Sequence, residues 1–224
     1  MSLVKVALRK MRSGMMAYGP SSIKRLLWDR EYSTDKWNFA YHSIGDCVYQ
    51  HVEKHVKGGS ILDLGCGMGN TATELTMNAY RDYTGVDISD ACLKKAEART
   101  QQCGRSAKNR FVRGDFLNYV PAQQYDVILF RESMYHVPPA RIKSVLDHYA
   151  GYLKAGGVFV VRMGTLGPDG QRIPRPVMML NIIKSEFDVL EDCEYEAFKS
   201  TVIVFRPKNA ERPAGGTLAE EAAS

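Results

Sequence analysis

The sequence predicts an α/β fold in which a mostly parallel sheet of seven strands carries helices on both faces. Three observations lead to this fold class. Short apolar runs alternate with stretches of helical periodicity from about residue 60 to residue 184. A glycine-rich turn follows the first apolar run. The last two predicted strands, about 187–197 and 200–206, lie too close together for a helical crossover, so they are expected to pair as an antiparallel hairpin.

The individual elements are predicted from spacing and from the residues that end them. Ile44, Val48 and Val52 recur every four residues, which predicts a helix over 38–56 that ends at Gly58-Gly59. Ser89 is a suitable cap for a helix that starts at residue 90. The further strands are predicted at 60–64, 83–87, 110–113, 126–130 and 158–161, and the further helices at about 69–79, 90–103, 138–153 and 174–184.

Composition divides the chain into three parts. Residues 1–37 form a basic N-terminal extension, residues 38–206 form the α/β domain, and residues 207–224 have almost no apolar content and are expected to be a disordered tail. Three interpretations of the first 19 residues remain open. They form a mobile lid over the pocket, a helix that touches a membrane surface, or a poorly ordered end.

The net charge of +5 is concentrated near the N-terminus. Residues 1–30 carry seven Lys or Arg against one acid, so the remainder of the 224-residue chain is close to neutral. A nucleic-acid enzyme usually has a basic track on the body of its domain, so this distribution argues against a nucleic-acid partner. No apolar run approaches the roughly 20 residues of a membrane span. Five scattered cysteines without a CxxC pair predict neither a disulfide framework nor a zinc cluster, which fits a cytoplasmic location and gives no metal ligands.

The segment from Ile61 to Asn70 indicates a ligand that contains a nucleoside. A short apolar strand runs into a turn with glycine at every second position, and a helix follows. Asp63 ends the first strand and Asp87 ends the second. The spacing is G-x-G-x-G, whereas a dinucleotide fold requires G-x-G-x-x-G to seat its pyrophosphate. Asp63 would repel a phosphate and attract an ammonium group.

These residues resemble the class I methyltransferases that use S-adenosylmethionine (SAM). The segment Asp63-Leu64-Gly65-Cys66-Gly67-Met68-Gly69 matches the family's D-x-G-x-G-x-G motif, and Gly85-Val86-Asp87-Ile88-Ser89 matches its second motif. The resemblance covers roughly residues 38–206 and implies a Rossmann-like fold with SAM as the cofactor. It also implies a set of cofactor-binding residues, namely Asp63, Gly65, Cys66, Gly67, Gly69, Asp87, Ile88, Asp115, Phe116, Arg131 and Trp37.

The resemblance gives several of these residues a role. The turn from Gly65 to Gly69, with Asp63, would hold the aminoacyl part of SAM, and Asp87 would accept hydrogen bonds from the ribose hydroxyls. Ile88 would pack on the adenine. Asp115 would bind the adenine amino group, or it is only a turn-forming acid. Phe116 would pack on the adenine or in the core. Tyr32, Trp37, Tyr41 and His42 are candidates for the pocket wall, or for helix packing.

The loop after the fourth strand, from Arg131 to Pro138, resembles the family's loop beside the transferred methyl group. His136 is the first candidate for a general base because histidine titrates near neutrality. Tyr135 is the candidate for orienting substrate or SAM. Alternatively, His136 only caps or packs the next helix, and the enzyme relies on proximity alone.

The predicted activity is transfer of a methyl group to an oxygen or nitrogen of a small metabolite. An N-P-P-Y motif is absent, which lowers the prospect of methylation of nucleic acids or protein amides. The alternatives are an RNA or protein methyltransferase, a nicotinamide oxidoreductase and a non-catalytic SAM-binding regulator. The sequence leaves the oligomeric state open.

Overall fold

The structure is a computed structural model that describes residues 11–12, 14–16, 18–34 and 45–208. Its strands are β1 (Ser60–Leu64), β2 (Asp82–Asp87), β3 (Asn109–Arg113), β4 (Tyr125–Arg131), β5 (Leu153–Gly164), β6 (Phe187–Tyr195) and β7 (Ser200–Pro207). Its helices are α1 (Ser21–Tyr32), α2 (Val48–Val56), α3 (Asn70–Glu74), α4 (Asp90–Gln102), α5 (Ile142–Ala150) and α6 (Pro174–Glu186).

The seven strands form one sheet in the order β3-β2-β1-β4-β5-β7-β6. The pairs among β1 to β5 are parallel, whereas β7 is antiparallel to both β5 and β6. β7 is therefore the one strand of this sheet that runs against the others. The predicted fold class is confirmed, including the antiparallel C-terminal hairpin.

Both faces of the sheet carry a hydrophobic core. Along β1, Ile61 packs in one cluster with Val52 of α2, whereas Leu62 and Leu64 pack in the other with residues of α5 and α6. This alternation follows from the two-residue period of a strand. β1 is buried along its whole length, so the turn that follows it is fixed at the centre of the sheet.

Some predicted element boundaries were wrong. Helix α2 begins at Val48 because Asp46 Oδ1 accepts a hydrogen bond from Val48 N at 3.0 Å, and Gly45 before it has a positive φ of 79°. The part of that prediction over residues 38–44 lies outside the described residues. Helix α3 ends at Glu74 rather than near 79, since Leu75 has extended backbone angles.

The two ends of the C-terminal region also differ from the prediction. β5 begins at Leu153, and Gly156-Gly157 lie within the strand beside a register shift in β4 instead of before the strand. Pro207 pairs with Phe187 and belongs to β7, so it is not part of a tail. Residues 209–224 lie outside the described residues. The predicted cap is confirmed, because Ser89 Oγ accepts a hydrogen bond from Cys92 N at 3.3 Å.

Candidate active site

The glycine turn after β1 adopts a conformation that favours glycine. Gly65, Gly67 and Gly69 all have positive φ, at 81°, 53° and 73°. A Cβ on Gly65 would lie 2.5 Å from Ser133 Cβ, and one on Gly69 would lie 2.8 Å from Ala96 Cβ. The turn is therefore fixed by backbone conformation and by the close approach of two other elements.

Asp63 places an unpartnered carboxylate oxygen in the buried part of the site. Only 1% of the residue is exposed, and Oδ2 accepts a hydrogen bond from Tyr83 Oη at 2.7 Å. Oδ1 has no hydrogen-bond partner within the described part of the chain. Burial raises the pKa of Asp63 from 3.8 to about 6. A buried acceptor without a partner is costly, so the site favours a ligand that brings a donor or a positive charge.

Asp87 both braces the glycine turn and offers acceptors to a ligand. Its Oδ1 accepts from Ser89 N and its Oδ2 accepts from Gly67 N, each at 3.0 Å. Burial raises the pKa of this carboxyl despite these hydrogen bonds. Because a carboxylate oxygen has two lone pairs, each oxygen retains one for a further donor. The bracing of Gly67 is a role that the motif alone did not predict.

Asp115 is bound by the N-terminal helix. Its Oδ2 accepts from Ser21 Oγ at 2.8 Å and from Lys24 Nζ at 3.0 Å, and its Oδ1 accepts from Leu117 N at 3.1 Å. Burial raises the pKa of this carboxyl, but these hydrogen bonds outweigh burial and the net shift is downward. Only Oδ1 keeps a lone pair for an adenine amino group. Asp115 therefore joins helix α1 to the cofactor side of the sheet.

Four charged side chains form a network at the carboxyl ends of β4 and β5. Arg131 donates to Asp46 Oδ2 through Nε at 3.1 Å and Nη2 at 2.7 Å. Arg162, opposite Arg131 in the sheet, lies 3.4 Å from Asp46 Oδ1 through Nε and pairs with Glu132. Glu132 has a positive φ of 56°, a conformation that costs energy in a non-glycine residue. The network fixes the loop that carries Tyr135 and His136.

Tyr135 and His136 lie together on a 3₁₀ turn, Met134–His136, after β4. Tyr135 Oη accepts from Gly164 N at 2.5 Å and donates to Gly164 O at 3.3 Å. The His136 ring meets the Trp28 ring edge-on, with centroids 5.0 Å apart. Burial, together with the nearby charges of Arg175 and Lys24, lowers the pKa of His136 from 6.5 to about 4. His136 is therefore neutral near pH 7 and can accept a hydrogen bond.

One cavity of about 800 Å³ brings most of the predicted site residues together. The predicted residues that line it are Asp63, Gly65, Cys66, Gly67, Asp87, Ile88, Asp115, Phe116, Arg131, Tyr135 and His136. Gly69 is not in the lining, because it faces Ala96 of α4. Trp37, Tyr41 and His42 lie outside the described residues.

The lining also contains residues that the sequence did not single out as site residues. Lys24, Asp46, Ser133, Arg162 and Phe198 all line the cavity. Arg162 was open to prediction, because the carboxyl ends of parallel strands meet at one edge and Arg162 follows the core of β5. Ser133 lies within the loop from Arg131 to Pro138, and Lys24, Asp46 and Phe198 carry no motif. The aromatic wall formed by Trp28 and Tyr32 agrees with the pocket-wall interpretation of Tyr32.

The strand order, the glycine turn and the acids that end β1 and β2 define a Rossmann-like domain with a nucleoside-type pocket. A family model described as "Methyltransferase domain" matches residues 61–157, which span β1 to the middle of β5. The match covers fewer than half of the 224 residues and identifies a methyltransferase domain in that part of the chain.

Curated relatives share this region only. A sterol 24-C-methyltransferase of Neurospora crassa is 28% identical over 136 residues, which are 56% of this chain and 35% of the relative. A trans-aconitate 2-methyltransferase of Enterobacter sp. strain 638 is 34% identical over 123 residues, which are 54% of this chain and 44% of the relative. The chain thus spans less than half the length of these relatives.

Solved structures agree with the fold at low identity. A SAM-dependent TehB-like methyltransferase of Corynebacterium glutamicum has a TM-score of 0.60 at 19% identity, and the match covers 81% of this chain and 98% of that chain. The N-methyltransferase NodS of Bradyrhizobium japonicum, solved with S-adenosylhomocysteine, has a TM-score of 0.58 at 16% identity, over 82% and 97% of the two chains. These likenesses show the fold.

Proposed function

We propose that this protein transfers the methyl group of SAM to an oxygen or nitrogen of a small metabolite and releases S-adenosylhomocysteine. The observation that carries the proposal is a continuous cavity that joins the glycine turn and Asp63 to Tyr135 and His136. A donor molecule on the turn and an acceptor molecule beside His136 would share this cavity, as in-line transfer requires.

The residues of the cavity fit SAM from one end to the other. The unpartnered Oδ1 of Asp63 suits the ammonium group, and the nearby Arg131 guanidinium suits the carboxylate. The free lone pairs of Asp87 suit the ribose hydroxyls. Ile88 and Phe116 line the cavity next to Asp115, where the adenine would lie. Two buried acids in one pocket disfavour a phosphate ligand, which opposes the nicotinamide alternative.

The acceptor side of the cavity positions a substrate by shape and hydrogen bonding. When SAM is bound, it supplies an electrophilic methyl group on a sulfonium. The acceptor atom forms the new bond to carbon with its lone pair, the carbon–sulfur bond breaks, and its electron pair stays on sulfur. A protonated acceptor must also lose a proton. We propose that neutral His136 accepts this proton or holds the acceptor, and that Tyr135, fixed by Gly164, orients the loop.

The charges of the N-terminal region favour a small substrate over RNA. Arg12 pairs with Glu31, Lys24 pairs with Asp115 at 3.0 Å, and Arg25 lies 3.7 Å from Asp90. These basic side chains face acids of the same chain, which reduces the charge available to a nucleic acid. The relatives named for trans-aconitate and for ubiquinone biosynthesis act on small molecules by name. We propose that this chain also acts on a small molecule, and we name no specific substrate.

The remaining predictions about the whole molecule stay proposals. No helix in the described part of the chain has the length and apolar character to cross a bilayer. We retain a cytoplasmic location and the three-part division of the chain at residues 37 and 206 as proposals.

Calorimetry with SAM, S-adenosylhomocysteine and NAD tests the cofactor assignment. We expect binding of the first two and none of NAD. Asp87→Asn keeps one acceptor oxygen but removes the charge, so it should weaken SAM binding by roughly tenfold, as the loss of charged hydrogen bonds implies. A non-catalytic regulator would bind SAM yet transfer no label from methyl-labelled SAM to a metabolite pool. No binding of either SAM or its product would refute the proposal.

A further inference from the structure

Helix α2 and the edge strand β6 contact each other through polar side chains, away from the residues that line the cavity. This contact, called the polar seam below, is formed by His51, His55, Glu191 and Cys193. Val48, Val52 and Val56 point from α2 into the hydrophobic core. His51 and His55, one turn apart on the same helix, instead contact side chains of β6. His51 is buried, at 5% exposure. Buried polar side chains between a helix and a sheet replace apolar contacts and call for a physical reason.

Nitrogen, oxygen and sulfur atoms that can bind a metal ion lie close together in the polar seam. His51 Nδ1 lies 2.5 Å from Glu191 Oε2, and His55 Nε2 lies 2.7 Å from Glu191 Oε1. The potential ligand atoms of His51, Glu191 and Cys193 all lie within 4.8 Å of one another. Glu191 and Cys193 are two residues apart on a strand, so their side chains leave the same face of the sheet. The three groups therefore converge from two separate elements.

We propose that His51, Glu191 and Cys193 bind a divalent transition-metal ion, that Zn²⁺ suits them best, and that His55 is the fourth ligand. Imidazole, carboxylate and thiolate are the ligand types of Zn²⁺, whereas a thiolate and two imidazoles do not suit Mg²⁺ or Ca²⁺. A carboxylate and a thiolate together neutralise a divalent cation. His51 Nδ1 and His55 Nε2 already contact the two carboxylate oxygens of Glu191, so a four-ligand site requires the Cys193 sulfur to approach the same point.

The surroundings support a metal in two ways. Tyr195 Oη lies 2.7 Å from His51 Nε2, so it can hold the ring nitrogen that does not face the metal. Such a partner orients a ligating histidine and fixes its tautomer. Lys54 Nζ donates to Glu191 Oε1 at 2.6 Å and would compete with a cation. Its side chain is 65% exposed, so it can turn into solvent when the metal binds.

The alternative is a hydrogen-bonded network in which Lys54 and the histidines satisfy Glu191 without a metal. In that case His51, Glu191 and Cys193 would only hold α2 to β6. The two explanations differ in what Cys193 does, since no hydrogen bond to its sulfur is seen in the described structure and the network does not need it. A thiolate ligand also has a spectroscopic signature that a hydrogen bond lacks.

Cobalt substitution tests the proposal on the untagged, reduced, full-length protein. One equivalent of Co²⁺ should produce visible bands of a tetrahedral ion and a near-ultraviolet sulfur-to-cobalt charge-transfer band, and Zn²⁺ should displace both. Cys193→Ser should abolish the charge-transfer band. Cys103→Ser is the matched control, because Cys103 is exposed and distant in sequence from β6, and it should keep the band. Absence of the band from the wild-type protein, or its persistence in Cys193→Ser, would overturn the proposal.

Thermal unfolding with Zn²⁺ provides a second measurement. At a free Zn²⁺ concentration about a hundredfold above its Kd, linkage predicts a rise of roughly 5–10 °C in the Tm of a domain of this size. Lys54→Ala should retain or increase the rise because it removes the competing ammonium. His55→Ala should weaken Zn²⁺ binding about tenfold or more, which keeps the test valid if Cys193→Ser does not fold. A Lys54→Ala protein that loses Zn²⁺ binding, or equal affinity in His55→Ala, would contradict the ligand set.

Discussion

Burial determines the charge of the individual residues that line the cavity. Asp63 is almost fully buried with one unpartnered oxygen, and burial raises its pKa to about 6. His136 is half-buried beside Trp28, and desolvation, together with the charges of Arg175 and Lys24, lowers its pKa to about 4. Both shifts favour the uncharged form, because the loss of water outweighs the nearby Arg131 charge at Asp63 and acts together with two nearby cations at His136. A cationic cofactor would reverse this preference at Asp63.

The shift at Asp63 predicts a pH dependence of both stability and SAM binding. The folded pKa lies above the ordinary value of 3.8, so the unfolded chain releases the proton first as pH rises. The contribution of the Asp63 carboxyl to the free energy of unfolding of the ligand-free protein is therefore greatest below about pH 4. This contribution is lost as pH rises to about 6. SAM carries an ammonium group and should bind the ionised form, so its affinity should rise from pH 5 to pH 7, by up to about tenfold per unit below the pKa.

Calorimetry at pH 5, 6 and 7 measures this effect. Asp63→Asn should bind SAM more weakly at pH 7 and should lose most of the pH dependence. His136→Ala serves as the control, because it leaves Asp63 in place and should keep the dependence. An Asp63→Asn protein with an unchanged pH profile would show that the carboxyl does not meet the ammonium group.

His136 gives a separate prediction about turnover. The sequence suggested a base that titrates near neutrality, whereas the half-buried side chain has a pKa lowered to about 4, so it stays mostly neutral from pH 5 to pH 8. The kcat profile should thus show no ionisation of His136 in that range. His136→Ala should lower kcat by about tenfold or more, as loss of a proton acceptor implies, with SAM affinity nearly unchanged.

The exposed His148 supplies a matched control for this experiment. Its side chain contacts Tyr119 O at 3.0 Å on another part of the molecule, and His148→Ala should leave kcat unaltered. Single-turnover rates with saturating SAM separate chemistry from binding. If His136→Ala turns over as fast as the wild type, His136 only packs at the start of the next helix.

Helix α1 forms one wall of the pocket at the sheet edge. It contacts the glycine turn, the second cofactor motif and Asp115. Lys24 and Ser21 bind Asp115, Asp29 Oδ1 accepts from Ser89 Oγ at 2.7 Å and from Ala91 N at 3.1 Å, and Tyr32 Oη lies close to Gly67. We propose that α1 acts as a lid over the pocket. The three interpretations of residues 1–19 stay open, since residues 1–10, 13 and 17 lie outside the described residues.

Lys24→Ala should weaken this attachment. The Lys24 and Asp115 side chains are each about nine-tenths buried, so the substitution leaves a buried carboxylate without its cation. We expect faster proteolysis within residues 20–34 and SAM binding weaker by roughly tenfold, which corresponds to the loss of one charged hydrogen bond. Lys143→Ala is the control, since Lys143 is half-exposed and pairs only with Asp147 on its own helix. Equal protection of α1 in both variants would mean that Lys24 does not hold the lid.

At the scale of the whole molecule, the distribution of charge leads to different expectations for an enzyme that acts on a small molecule and for one that acts on RNA. Among the described basic residues of the N-terminal region, Lys24 and Arg25 pair with Asp115 and Asp90 of the domain, and Arg12 pairs with Glu31 of α1. We therefore expect weak RNA binding even at low salt. Filter binding from 50 to 200 mM salt measures it, and phosphate contacts would appear as an affinity that falls by roughly 10³-fold or more over this range.

Truncation before α1 completes the test at this scale. Removal of residues 1–10 preserves Ser21, Lys24 and Asp29 and should preserve SAM binding and methyl transfer. The same truncation would abolish activity on RNA if the basic extension carried the nucleic acid. Steep salt dependence together with that loss would favour the RNA alternative over the small-molecule proposal.

The sequence determined the sheet and the cofactor class because both depend on local patterns. Apolar runs separated by helical stretches predicted the seven strands, and the two acids around the glycine turn indicated SAM instead of a dinucleotide. Element ends were less accurate. The start of α2 depends on the side chain of Asp46, and the length of β5 depends on pairing with β4 and β7.

Only the tertiary structure decided how the pocket is closed and which charges its residues carry. Asp46 and Arg131 are 85 residues apart, and Lys24 and Asp115 are 91 residues apart, so no motif links them. The neutral state of His136 arises from partial burial beside Trp28 and from the charges of Arg175 and Lys24. The convergence of His51 with Glu191 and Cys193 arises from the packing of α2 on β6. The spacing of residues along the chain predicts contacts within a single helix or strand. Burial and pairing between distant residues arise only after the helices and strands have packed together.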